Sequence, residues 1–183
     1  GLGSIGKKHL NILRKISSNL NIIVLSTNIK SSQINGEINS IVSSIDEALS
    51  FSPSAAILCN PASQHVEIAF SLIEHGVNVF IEKPISNSAE GVEDLINLAR
   101  QNNCKLMVGY NLRFSKSLIF FKNKIHQQAI GKILSIRSEV GQNLTTWRPN
   151  LDYTQSVSAQ KSLGGGVLLE LSHELDYLSW IFG

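Results

Sequence analysis

Cysteine is scarce, neither sign of charge is in large excess, and no long apolar run occurs in these 183 residues. Each absence removes a class of protein. The two cysteines, Cys59 and Cys104, lie in or beside apolar runs without metal-ligand spacing, so they read as buried thiols in a reducing compartment. A disulfide scaffold and a zinc site are both excluded on that reading. Sixteen basic against fourteen acidic residues leave a formal net charge of +2, too little field to recruit nucleic acid or an anionic membrane surface. No stretch approaches the roughly 18 apolar residues of a membrane span, and no basic segment followed by an apolar one opens the chain as a secretory signal would. Internal repeats and low-complexity tracts are absent as well. The expectation is a soluble, globular, cytoplasmic protein with no nucleic acid, membrane or metal partner.

Enough apolar material is present for a real interior. At 43% hydrophobic residues the chain can build one sizeable core, or one full domain and part of a second. Its ends read as cut: Gly1 opens without an initiator Met, inside a glycine loop of the kind that follows a strand, and Gly183 closes right after an apolar helix. With the first strand missing, the chain by itself is expected to leave apolar edges open and to be poorly stable. A cooperative melt together with tight nucleotide binding by this chain would overturn that expectation.

From Gly1 to about Gly109, short β-branched runs alternate with longer helical patterns, the signature of repeated βαβ units around a parallel sheet. The runs are Asn21 to Leu25, Ala55 to Cys59, Val77 to Ile81 and Lys105 to Val108. Between them, His65 to His75 and Gly91 to Arg100 place apolar residues at helical spacing, with Pro61 and Ser88 as start signals and Gly76 as a stop. A short helix, Ile45 to Leu49, is opened by Ser44 with Glu47 three residues on. After Asn111 the rhythm changes, which sets a boundary between residues 1–111 and 112–183. A helix from about Ser115 to Gln128 precedes a turn at Gly131 and an alternating run, Lys132 to Val140, that predicts a strand with one wet face. The polar segment from Gln142 to Leu163 is too long for an ordinary connection and is a candidate functional loop. Gly164, Gly165 and Gly166 then lead into an apolar helix, Val167 to Phe182.

Chemistry enters with Gly1-Leu2-Gly3-Ser4-Ile5-Gly6, a G-x-G-x-x-G pattern. Its glycines permit a tight turn, close approach of backbone to a pyrophosphate and close packing of the next helix. Amides at that helix's start would hold phosphates. A helical pattern, Lys7 to Ile16, and then a strand pattern follow directly, which is the context the motif requires. Where the second strand ends, an acid would bond a ribose 2′-hydroxyl and repel a 2′-phosphate. Here stand Ser26, Thr27 and Asn28 with Lys30 close by, which leans towards NADP, or towards indifference between NADP and NAD; a solvated polar loop is the plain alternative.

Three further groups fall beyond strand ends or on the last helix. Asn60-Pro61 closes the third apolar run, with His65 one turn into the following helix. Glu82-Lys83-Pro84 follows the next strand, and a lysine whose ammonium is destabilised by burial or by a neighbouring charge can assist proton transfer from a hydroxyl losing hydride. Glu170, His173 and Asp176 recur every three residues, placing an imidazole between two carboxylates on roughly one helix face. Carboxylates in so apolar a stretch are costly if buried without purpose.

Taken together with Gly109-Tyr110-Asn111 and Arg113-Phe114, these motifs resemble, in order and approximate spacing, the Gfo/Idh/MocA family of oxidoreductases, essentially from end to end. The resemblance implies an α/β fold: a Rossmann-type doubly wound parallel sheet in a cofactor domain, residues 1–111. The start of an α+β substrate domain with an antiparallel sheet would follow in residues 112–183. It implies NAD or NADP as cofactor, held by Gly1, Gly3, Ser4, Ile5, Gly6, Ser26, Thr27, Asn60, Pro61, His65, Glu82, Lys83 and Asn111. Lys83 would be a catalytic lysine and His173 its acid/base partner. Members of the family commonly carry an aspartate four residues before the helix histidine; Leu169 stands there, so Glu170 or Asp176 fills the third role, or neither does. Arg113 and the segment Trp147, Arg148 to Tyr153 look like a substrate loop for a sugar or nucleotide sugar of surface-polysaccharide or nonulosonic sugar metabolism, its guanidinium groups suited to a sugar phosphate. A homo-oligomer is implied for the complete protein. Two other readings stay open: an NAD-dependent glycosidase of the same family, and a non-catalytic nucleotide-binding regulator.

Overall fold

The first element grows out of the glycine loop. In the computed structural model, which describes residues 1–26, 37–147 and 152–183 with the side chain of Trp147 excepted, α1 spans Ser4–Ile16. Its inner face is Gly6 and Leu10, both buried, and Arg14 and Lys15 in the last turn complement the partial negative charge of the helix end. Arg14 also fastens the exit. Its Nε donates to the Glu37 carbonyl at 2.8 Å, and one Nη donates to those of Ser18 and Leu20 at 3.1 and 2.6 Å.

Two parallel sheets follow. β1 (Ile23–Leu25) pairs with β2 (Ser40–Val42), and α2 (Ile45–Leu49) comes next. The Ser44 hydroxyl accepts from the Glu47 N–H as expected, while the Glu47 carboxylate reaches back to the N–H of Ser43 rather than Ser44. β3 (Ala55–Leu58), β4 (Asn78–Ile81) and β5 (Leu106–Val108) form the second sheet, with Leu58 opposite Ile81 and Ile81 opposite Val108. The crossovers are α3 (His65–Glu74) and α4 (Val92–Gln101), which pack on each other and on this sheet. Among the described residues no strand pair joins the two sheets.

Burial is concentrated in the second sheet. Ile73 of α3, Ile81 of β4 and Leu95 of α4 are fully enclosed, with Ala69, Leu72, Val77, Val79 and Ala99 around them. Each large aliphatic chain so enclosed stabilises the fold by about 1.5–3 kcal/mol relative to exposure. A smaller cluster of Leu10, Val24 and Ile38 seats α1 on the first sheet.

Past β5 the elements are helical: α5 (Lys116–His126), α6 (Leu144–Trp147), α7 (Val167–Glu170) and α8 (Ser172–Phe182). α5 and α8 meet through a Phe121–Phe182 edge contact, Lys122 over the Trp180 ring at 4.2 Å, and His126 Nε2 against the Ile181 carbonyl at 3.1 Å. Two expectations are corrected here. The predicted strand Lys132 to Val140 makes no ladder, and both sheets among the described residues are parallel, so the antiparallel sheet of a second domain has no counterpart in them. An alternating run becomes a strand only when another strand accepts its hydrogen bonds, and among the described residues no strand pairs with it. The single helix from Val167 to Phe182 is two helices, because Leu171 at φ −98° and ψ 26° breaks the hydrogen-bond ladder between Glu170 and Ser172. The described residues of the candidate loop Gln142 to Leu163 include α6 and three 3₁₀ turns at Tyr153–Gln155, Val157–Ala159 and Lys161–Leu163. No helix among the described residues is long and apolar enough to cross a membrane.

Candidate functional site

The glycine loop has the tightness the motif calls for. A Cβ at Gly6 would lie 2.3 Å from the Gly1 carbonyl oxygen, so any side chain there would force the loop open. Beside Gly1 and Gly3, by contrast, the backbone borders open space. α1 starts with no side-chain cap and no acid in its first turn, and its first helical bond runs from the Lys7 N–H to the Gly3 carbonyl. The amides of Ser4, Ile5 and Gly6 are therefore left to an outside acceptor, which fits a dinucleotide phosphate. Ser26 closes β1 with its N–H on the Val42 carbonyl at 3.0 Å; Thr27, Asn28 and Lys30 lie outside the described residues. Cys59, behind the loop, is no nucleophile at neutral pH: burial first, and the Glu82 charge second, push its thiol up to about 11.

The turns after β3 and β4 are bound to each other. Asn60 and Pro61 lead into a 3₁₀ turn, Ala62–Gln64, and then α3, which opens at His65. His65 is 1% exposed, with Nδ1 2.9 Å from the Pro84 carbonyl and Nε2 2.9 Å from the Asn60 carbonyl. The structure thus places it as a clamp between two turns rather than on an open wall. Glu82 is likewise engaged: Oε1 meets His9 Nε2 at 2.6 Å, and Oε2 accepts from the Lys83 N–H at 3.2 Å. The Lys83 ammonium leaves the sheet edge and crosses to α7, donating to the Glu170 carbonyl at 2.9 Å with the Glu170 carboxylate 3.7 Å away.

His173 stands at the start of α8, its ring roughly perpendicular to that of Tyr110 with centroids 5.7 Å apart. Burial first, and then the Lys83 charge, hold its imidazole below the ordinary histidine range, against the opposing pull of Glu174, Asp176 and Glu82. Among the described residues its Nδ1 is buried without a hydrogen-bond partner, as are Ser172 Oγ and Glu174 Oε2. The two carboxylates that the spacing set beside it have other attachments. Glu170 sits across the Leu171 break with Lys83, and Asp176 holds Arg113 in a two-pronged pair at 2.7 and 2.9 Å. That pair raises the already high basicity of Arg113. Asn111 and Arg113 share the 3₁₀ turn Asn111–Phe114; Tyr153 is exposed on its own turn, Trp147 ends α6, and Arg148 lies outside the described residues. Among the described residues no cluster of His, Cys, Asp or Glu could hold a metal ion.

One residue of this neighbourhood carries no motif of its own in the sequence. His9 follows Gly6 by three and precedes Leu10, so helical periodicity puts it near the buried side of α1. That register was the available signal, but its partner Glu82 is 73 residues away.

Residues 1–110 match the profile of the Gfo/Idh/MocA oxidoreductase family, described as having an NAD-binding Rossmann fold. A 2,7-anhydro-N-acetylneuraminate hydratase of Mediterraneibacter gnavus is 30% identical over 70% of this chain and 33% of its own length. Among solved structures, myo-inositol 2-dehydrogenase from Lactobacillus plantarum superposes with a TM-score of 0.82 at 20% identity, covering 99% of this chain and 54% of that one. A scyllo-inositol dehydrogenase from Lactobacillus casei, solved with NAD(H) and scyllo-inositol, gives 0.63 at 26% identity over 72% of this chain and 40% of its own. The chain spans about a third of the length of the curated relatives it matches.

Proposed function

The chain belongs to the Gfo/Idh/MocA family of oxidoreductases, and from that premise we propose that it forms the cofactor-binding part, and one wall of the catalytic site, of an NAD(P)-dependent dehydrogenase acting on a hydroxyl of a sugar or nucleotide sugar. The observation that carries this reading is the meeting of two segments distant in sequence. Lys83 at the end of β4 reaches Glu170 of α7, and burial together with the Lys83 charge lowers the proton affinity of the His173 ring. An ammonium and an imidazole that binds its proton less readily than usual can divide the work at a secondary alcohol. Lys83 Nζ would hold the hydroxyl oxygen by hydrogen bonding, and His173 would accept the proton that the oxygen gives up. Glu170 orients the ammonium. Gly1, Gly3, Ser4, Ile5 and Gly6 would hold the dinucleotide, which when bound supplies the ring that takes up hydride.

Arg113 enters this reading in a changed role: paired to Asp176, it supports the α8 side of the site and is not a free phosphate ligand. Trp147, Arg148 and Tyr153 remain the proposed substrate loop. The neuraminate-derived substrate in the name of the M. gnavus relative supports a nonulosonic or related sugar. The scyllo-inositol bound by the L. casei dehydrogenase supports a polyhydroxylated ring more generally. A cytoplasmic homo-oligomer completes the proposal.

The test uses the complete protein. NADH and NADPH are titrated by fluorescence, and nicotinamide absorbance is followed over a panel of nucleotide sugars, free sugars and cyclitols, with and without Lys83→Ala. Turnover in the parent, lowered roughly 10²–10⁴-fold in Lys83→Ala with nucleotide binding kept, is the expected outcome. Nucleotide binding with no turnover on any substrate would replace the dehydrogenase reading with a regulator, and hydrolysis without net nicotinamide change would replace it with a glycosidase.

A further inference from the structure

His9 joins the two ends of the site. It lies on α1, three residues beyond Gly6, and its Nε2 meets Oε1 of Glu82, the residue before Lys83, at 2.6 Å. The contact is sheltered, the side chains being 20% and 16% exposed. Two neighbours fix its geometry. The edge of Phe80 stands against the His9 ring, with centroids 5.4 Å apart and planes at 69°. Phe80 can occupy that place because residue 109 is glycine: a Cβ there would come within 3.0 and 3.1 Å of the Phe80 ring and 3.4 Å of Glu82 Oε1. The other carboxylate oxygen of Glu82 accepts from the Lys83 N–H at 3.2 Å. Both oxygens of Glu82 are thereby turned to α1 and to backbone, and the ion-pair partner of Lys83 among the described residues is Glu170.

We propose that His9 is a positioning residue for Lys83, acting through Glu82; the proposal rests on the reading of Lys83 as the proton-handling lysine. A carboxylate next in sequence to a lysine is a ready competitor for its ammonium. By occupying Oε1, His9 removes that competitor and leaves Nζ free to face Glu170 and a substrate hydroxyl. With its proton on Nε2, the His9 imidazole donates to the Glu82 carboxylate. Because α1 begins at the glycine loop, the same contact fixes the distance from the phosphate-binding amides to the lysine.

The experiment compares His9→Phe, His9→Gln and the double variant His9→Phe/Glu82→Gln in the complete protein. Two readouts are taken beside nucleotide affinity, which reports folding: the rate of Lys83 acetylation, followed by peptide mass spectrometry, and kcat. His9→Phe keeps the ring edge against Phe80 but cannot donate. It should slow acetylation about fivefold as Glu82 swings onto the ammonium, the size set by one partly exposed ion pair. The same variant should lower kcat by on the order of tenfold or more with KM little changed. His9→Gln, which retains a donor, should stay near the parent, and Glu82→Gln added to His9→Phe should restore the acetylation rate, since a neutral amide does not compete. Acetylation unchanged in His9→Phe, or equally slowed in His9→Gln and unrelieved in the double variant, overturns the proposal. Acetylation that shifts and recovers as described while kcat stays constant upholds the strut and removes Lys83 from the chemistry, so the two readings fail separately.

Discussion

The sheet of β3, β4 and β5 and the segment from Lys132 to Leu175 carry similar apolar side chains to opposite ends. In the first, Ile81 of β4 and the residues packed on it from the covering helices, Ile73 of α3 and Leu95 of α4, are fully buried; in the second, Leu134 is 87% exposed, Val167 68%, Leu168 69% and Leu175 56%. Composition does not separate them, since both are rich in leucine, isoleucine and valine. What separates them is a second layer: α3 and α4 close over the sheet, whereas no described element closes over the run 132–140 or the outer face of α7. The open cavity of about 570 Å³ between that run and α7 and α8, lined by Val140, Val167, Leu168, Leu171 and Leu175, is the visible form of the difference. Hydrophobic patterning states a demand for burial, and only a partner layer meets it.

The contrast can be broken by mutation, most severely in the covered region. Leu95→Ala in the complete protein should cost about 2–5 kcal/mol, read from the urea midpoint, because its surroundings leave little room to collapse. A loss under ~1 kcal/mol would mean that the α3–α4 core is looser than the structure shows. Arg113→Ala should cost roughly 1 kcal/mol, as it frees the shielded Asp176 carboxylate while the guanidinium it removes was half in water. Acid should act more mildly through His173. Its imidazole binds a proton less readily folded than unfolded, so the unfolded chain holds more protons between the lowered folded value and the ordinary 6.5. Stability should therefore fall as pH drops through that window and level off below it, and His173→Phe should remove that part of the pH dependence of the melting temperature. The smallest effect belongs to Leu168→Ala, expected within about 0.5 kcal/mol. A loss there as large as at Leu95 would sharpen the comparison differently, by showing that this face is covered by something beyond the described residues.

The sequence was legible where interactions are local. Helical spacing and strand runs located α1, α3, α4, β3, β4 and β5 to within a few residues, and the Ser44–Glu47 cap was readable because its two groups sit one turn apart. The glycine loop was legible for the same reason. The break at Leu171 was not, since apolar periodicity runs through it and the interruption is a matter of one residue's dihedrals. Long-range pairings were hidden altogether. Arg113 and Asp176 are 63 residues apart, and Lys83 and Glu170 are 87 apart, so the roles given to Asp176 and Glu170 from their spacing around His173 could not register the partners that hold them. The run Lys132 to Val140 has the alternation of a strand, but alternation specifies which face would be wet and says nothing of who pairs with it.

The His65 clamp has a consequence in the language of proton placement. Both atoms that face its ring are carbonyl oxygens, which accept and never donate. A ring with a single N–H can donate to only one of them, to the Asn60 turn from Nε2 or to the Pro84 turn from Nδ1. Only a ring carrying both N–H groups could grip the two turns at once, so the protons on this one imidazole set how many of the turns it can hold.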